Sequence, residues 1–265
     1  MMELILPYIA VGVGAGFLSG LMGVGGGLVV VPALFAIFKQ VGFEENILMR
    51  LAAGTSLAAM IVTALFSMWM HIRHGAVVGP VFKKMALGIV LGTVFGVIAA
   101  GYIKSNVLSG LFGVFLIAMA FKMFFSPKIE AHETLPPPGL LNLASFGVAL
   151  LAGMFGIGGG ALLIPLLTYY NVSIKNMIGI SLACGALVSI IGTIVFLWEG
   201  LSRPDLPGLS TGYIYWPAVF GIALGSPLFS YFGAKLAIRL PVKKMQIIFG
   251  IFLLAVAYKM INSSL

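Results

Sequence analysis

The chain has 265 residues, 61% hydrophobic and 8% charged, whereas a soluble domain carries about 25% charged residues to face water. A water-soluble globular fold is excluded, and the net charge of +8 sits in short loops between apolar runs, where it sets membrane orientation instead of binding nucleic acid. A single cysteine, Cys184, within an apolar run excludes an intrachain disulfide and a zinc cluster.

Residues 4–38 carry no charge. They outrun the apolar core of a signal peptide and are read as part of the mature chain. As one helix the stretch would measure about 50 Å, against a hydrocarbon core of about 30 Å. Gly23-Val24-Gly25-Gly26-Gly27 lies inside it, and each glycine lowers helix propensity by about 1 kcal/mol. Two arms are therefore predicted, about 4–22 and 28–38, joined at glycine. The second arm is short, as in a hairpin that enters the membrane and turns back.

A polar loop (Lys39 to Asn46), an apolar run at about 51–70 and a basic loop (His71 to Lys84) follow. Further runs occupy about 85–103 and 107–125. Ser126 to Gly139, with Pro136, Pro137 and Pro138, reads as a linker. After it the pattern restarts. The block from Leu18 to Gly27, leading to Pro32, recurs as Leu151 to Gly160, leading to Pro165. Gly54-Thr55-Ser56 returns as Gly179-Ile180-Ser181, Gly88–Thr93 as Gly221–Ser226, and Phe112–Lys122 as Phe249–Lys259. The domain plan is thus a first repeat at 1–125, a linker at 126–139 and a second repeat at 140–265. The second hairpin is expected at about 140–156 and 161–171. The fold class is an all-α, polytopic transmembrane bundle of two homologous repeats, each opening with a glycine-broken hairpin. Such duplication with a site between the halves is a recurring plan in transporters.

Charge indicates inversion of the repeats. If each first segment crosses once, the 15 basic residues divide seven to eight between the two sides. If it enters and returns, ten gather on one side: Arg73, Lys83, Lys84, Lys122, Lys128, Lys175, Lys235, Arg239, Lys243 and Lys244. The positive-inside rule makes that side cytoplasmic and places both termini outside. A multi-pass protein of the cell (inner or plasma) membrane is expected.

The glycine clusters carry the functional expectation. Each precedes a helical arm whose first N–H groups lack intrahelical partners. Glycine admits close approach of a ligand, and the helix dipole favours negative charge there. Gly23, Gly25, Gly26, Gly27, Gly156, Gly158, Gly159 and Gly160 are the candidate anion-binding residues. Crowding of helices is the competing use of glycine, and it is favoured for the four-residue spacings Gly12/Gly16/Gly20 and Gly88/Gly92/Gly96. No Gly-Lys-Ser/Thr follows either cluster, which excludes a nucleotide-hydrolase phosphate loop. Thr55, Ser56 and Ser181 are further candidates. Their hydroxyls either donate to an oxyanion or bond back to their own helix.

All seven carboxylates (Glu3, Glu44, Glu45, Glu130, Glu133, Glu199, Asp205) fall in loops or at segment ends. The intramembrane acid of a cation pump or proton relay is missing. No catalytic cluster, metal site or cofactor is expected. His71 and His74 flank Arg73 at a loop end, Lys122 and Lys259 close their helices, and Trp69, Trp198 and Trp216 mark interfaces.

The paired Gly-x-Gly-Gly-Gly…Pro blocks, the Gly54-Thr55-Ser56 step and the His71-x-x-His74-Gly75 loop resemble the sulfite exporter TauE/SafE family, also described as the four-toluene-sulfonate uptake permease family. The resemblance implies a membrane transporter exporting a small sulfur-containing or organic oxyanion, such as sulfite or sulfoacetate. Import of organic sulfonates or carboxylates on the same fold is the alternative, and a membrane enzyme or assembly factor is the alternative of another class. The second half has Gly-Ile-Ser for Gly-Thr-Ser and no His-x-x-His loop, which speaks against a symmetric pair of hydroxyl sites. The partners expected are a small anion and the lipid bilayer, with a homodimer left open.

Overall fold

The computed structural model describes residues 2–22, 26–73, 75, 78–125, 136–170, 172, 174–237 and 242–264. Apolar segments placed in lipid must satisfy their backbone internally, and the helix is the open-chain solution. Ten described helices result: α1 (Met2–Met22), α2 (Gly27–Val41), α3 (Leu48–Arg73), α4 (Gly79–Tyr102), α5 (Ser105–Phe124), α6 (Pro138–Phe155), α7 (Gly160–Tyr169), α8 (Ile174–Gly200), α9 (Trp216–Ala237) and α10 (Val242–Asn262). Six of them, α3, α4, α5, α6, α8 and α10, are long and apolar enough to cross a membrane. Large apolar side chains point outward, Leu224 at 73% exposure and Ile248 at 68%. In water that surface would drive aggregation, so its solvent is hydrocarbon. The chain is a polytopic all-α membrane bundle.

The chain reverses between α1 and α2 and again between α6 and α7. A methyl placed on Gly26 would lie 3.8 Å from the Ala15 Cβ, and the rings of Tyr8 and Phe38 meet at 6.3 Å. Helix α2 therefore folds back along α1. In the second half Gly156 caps α6 at φ 73°, its N–H donating to the Gly153 carbonyl at 3.3 Å while the Ile157 N–H donates to Ala152 at 2.9 Å. This paired closure leaves glycine in the left-handed region and ends the helix. A methyl on Gly159 would then lie 3.6 Å from Ala152 Cβ. At about 22 Å and 15 Å, helices α2 and α7 are both too short to cross.

Helix directions follow from who meets whom. Tyr215, just before α9, packs against Tyr8, Phe38 and Phe43 at centroid distances of 6.1, 5.6 and 5.4 Å. The start of α1, the end of α2 and the start of α9 therefore share one end, here the near end. Helices α1 and α9 run parallel, with Gly12, Gly16 and Gly20 facing Ile222, Ser226 and Ser230 in turn. Helix α3 begins at the near end, since Arg50 reaches Tyr213, and α4 returns toward it. Helix α6 runs parallel to α4, with Gly88, Gly92 and Gly96 facing Asn142, Phe146 and Leu150. So α6 starts at the far end, opposite to α1. In both pairs a methyl on any of the three glycines would overlap the neighbour's backbone, as small-residue packing of membrane helices requires.

One near-end element has no counterpart in the sequence-based expectation. Residues 201–215 form an inserted loop ending in a two-stranded ribbon, β1 (Ser210–Thr211) and β2 (Ile214–Tyr215). Tyr213, Ile214 and Tyr215 are 1%, 0% and 6% exposed, so the ribbon plugs the bundle. The Arg50 guanidinium donates to the Tyr213 hydroxyl at 2.9 Å, and the Tyr215 N–H donates to Thr55 Oγ1 at 3.0 Å. Burial holds the Tyr215 phenol above its ordinary titration range, and it stays neutral.

Candidate functional site

The two hairpin tips touch half-way along the bundle. A methyl on Gly27 would come within 2.7 Å of the Ile157 Cα and 3.1 Å of the Gly156 carbonyl. Beside this contact lies a cavity of about 50 Å³, walled by α1, both tips, the middle of α3, and α8 and α9. A water needs about 10–15 Å³ measured the same way, so the space suits a few heavy atoms and excludes a nucleotide. From the tips it extends along α3 past Met60, Thr63 and Ala64 to Ser67, toward the far end. The ribbon lies at the near end, bonded to Thr55 and Arg50 of α3, and supplies none of the lining.

The wall is mostly apolar, with Ala15, Val30, Met60, Leu182 and Ile222 among its residues, and a few hydroxyls are set into it. Ser19, Thr63, Ser67, Ser181 and Ser226 carry those hydroxyls, Gly26, Gly158 and Gly160 bring backbone to the wall, and among the described residues no charged side chain lines it. Ser181 stands out: it is 2% exposed, and among the described residues its hydroxyl has no hydrogen-bond partner. An unsatisfied buried donor costs about 1–3 kcal/mol, and this hydroxyl keeps its proton unspent. Thr63 Oγ1 and Ser226 Oγ share one bond at 2.7 Å, which uses one of their two protons and leaves the other. At the tips, the Gly26 carbonyl accepts from Val29 and Val30 at 3.0 and 2.9 Å, and the Gly159 carbonyl accepts from Leu162 and Leu163, both at 3.1 Å. Residues Gly27, Leu28 and Ala161 precede these first intrahelical donors, at the positive ends of α2 and α7.

The expected site residues divide. Gly26, Gly158, Gly160 and Ser181 line the cavity. Gly27 and Gly156 do not; Gly27 is used in the contact between tips, and a methyl on Gly156 would overlap Ala53. Gly159 supplies a turn at φ 67°, where an L side chain is strained. Thr55 is fully buried and spends its oxygen on the ribbon. Ser56 donates to the Met60 sulfur at 3.8 Å. Neither lines the cavity. Gly23, Gly25 and His74 lie outside the described residues. Matching positions also diverge: Ser226 faces the cavity, whereas Thr93 donates back to Ile89 of its own helix at 2.7 Å. Ser19, Thr63, Ser67 and Ser226 were not anticipated. Ser56, Met60, Thr63 and Ser67 recur at helical spacing within an otherwise apolar run, and that stripe was a readable signal.

Fold and cavity together define a class: a polytopic helical membrane protein with a small, mostly apolar cavity beside its two glycine-bearing helix breaks. The chain belongs to the Sulfite exporter TauE/SafE family, whose model matches residues 8–260. It is 36% identical over 264 residues to a probable membrane transporter protein of Haemophilus influenzae, covering 98% of this chain and 99% of the relative. A probable membrane transporter protein of Methanocaldococcus jannaschii is 31% identical, with 95% and 96% covered. The protein YunE of Bacillus subtilis, also named a probable membrane transporter, is 24% identical over 96% of both chains. No solved structure matches significantly. The chain is a membrane transporter of TauE/SafE type.

Proposed function

We propose that this transporter exports a small oxyanion, sulfite or a compact organic sulfonate such as sulfoacetate, held in the chamber between the hairpin tips. The observation that carries the reading is the Ser181 hydroxyl, buried and, among the described residues, without a partner, in a chamber that no described carboxylate lines. A cation would find no counter-charge there. An oxyanion finds hydroxyl protons and two positive helix ends, the donor set that suits it.

The two halves, as inverted repeats, supply their openings from opposite ends, and α1 and α6 run accordingly. The basic residues Arg73, Lys83, Lys84, Lys235, Lys243 and Lys244 cluster at the far end, which the positive-inside rule makes cytoplasmic. The chamber extends toward that end, so the conformation is one that loads from inside, with the ribbon at the outer end. Each anion charge leaving a cell 100 mV negative inside gains about 2.3 kcal/mol, sufficient drive without a second ion. Purified protein in liposomes is expected to release labelled sulfite faster when the potential pulls anions outward. Equal rates with and without protein, for sulfite and sulfoacetate alike, overturn the proposal.

A further inference from the structure

Between α2 and α10 the outer wall opens into a second, larger space, a groove of about 400 Å³. Its depth is apolar, lined by Pro32 and Phe35 from one helix and Phe252 and Val256 from the other. Its near-end mouth carries two lysines, Lys39 and Lys259, each in the last turn of its helix. The lining of α2 begins at Val29, and the helical rise from there to Lys39 is about 15 Å. That is half of a hydrocarbon core of about 30 Å, the depth of one leaflet.

We propose that this groove binds one anionic phospholipid of the near-end leaflet, an acyl chain lying along Phe35 and Val256 and the phosphate between Lys39 and Lys259. Apolar depth, leaflet length and paired cations at the headgroup level match one amphiphile. Among the described residues, the ion pair at the mouth is Lys39 to Glu45 at 3.4 Å, with side chains 43% and 79% exposed. Such a surface pair contributes little and yields to a phosphate. A second copy of the chain fits less well, because a two-fold contact sets each surface against itself and would bring lysine toward lysine. The bound lipid would brace the outer face of α2, the arm that carries Gly26 to the chamber.

The test is native mass spectrometry of the full chain after equilibration with vesicles of equal phosphatidylglycerol and phosphatidylcholine. One phosphatidylglycerol is expected to remain bound, at least about tenfold in preference. The Lys39→Gln/Lys259→Gln pair, both exposed and so harmless to folding, is expected to abolish the preference. Val256→Trp is expected to expel lipid by filling the groove. Equal retention of the two lipids, a preference unchanged by the double substitution, or a lipid-free dimer each overturns the proposal. Sulfite flux is read separately, and its absence leaves this result untouched.

Discussion

Replacing Ser181 by alanine should move two quantities in opposite directions. Ser181 is 2% exposed, and its hydroxyl has no partner among the described residues. Its removal relieves a desolvation penalty of up to about 1–3 kcal/mol, so the ligand-free variant is expected to melt at a higher temperature. With an anion bound, the same hydroxyl donates to a charged acceptor, and such bonds are worth about 1.5–3 kcal/mol. At 1.4 kcal/mol per decade, affinity is expected to fall roughly 10- to 150-fold. Thermal melting with and without sulfite, in one detergent, reads both effects. Ser189→Ala is the control: that hydroxyl is also buried and unpartnered but does not line the chamber. It should raise stability and leave the sulfite-induced shift intact. A lower melting temperature for Ser181→Ala, or an unchanged response to sulfite, refutes the reasoning.

Neighbouring tip glycines should separate by the same logic. A methyl at Gly26 meets nothing closer than 3.8 Å, so Gly26→Ala is expected to fold normally yet slow sulfite flux by intruding on the chamber. Gly27→Ala puts its methyl 2.7 Å from Ile157 Cα and should lower the melting temperature, overpacking typically costing about 1–3 kcal/mol; equal stability of the pair contradicts the tip contact. Gly16→Ala forces α1 from α9, with its methyl 2.7 Å from Ser226 Cα, whereas Gly14 has open space around it. Only the Gly16 variant should lose monodisperse protein on size exclusion. Thr55→Val strips the acceptor from the buried Tyr215 N–H and is expected to cost about 1–3 kcal/mol, read as earlier melting and faster proteolysis within 201–215. An unchanged digestion pattern would mean that the ribbon is held by its aromatic contacts alone.

What the sequence disclosed and what it hid follow different physics. Lipid leaves the backbone few choices, so the absence of charge from residues 4–38 and the glycine block within it were enough to expect a fold-back, and α1 and α2 show one. The spaced glycines Gly12, Gly16 and Gly20 were expected to pack helices, and they do. Contact between the clusters was less legible. Gly27 and Gly156 carry the same local signature as Gly26 and Gly158 but serve packing, because which face of a tip meets its neighbour is decided by tertiary geometry. Thr55 and Ser181 occupy related blocks, yet one is claimed by the ribbon and the other left unpartnered. The ribbon itself arises from a segment rich in turn residues, Pro204 to Gly212, whose burial no local pattern announces.

Selenite has the shape and charge of sulfite with an atom that scatters X-rays anomalously. Crystals grown with it would locate the anion without reference to transport rates. A single anomalous peak is expected in the chamber, within hydrogen-bonding distance of Ser181 Oγ and beside Gly26 and Gly158. An empty chamber at saturating selenite, or a peak elsewhere in protein that still transports sulfite, contradicts the assignment of the hairpin tips as the binding site.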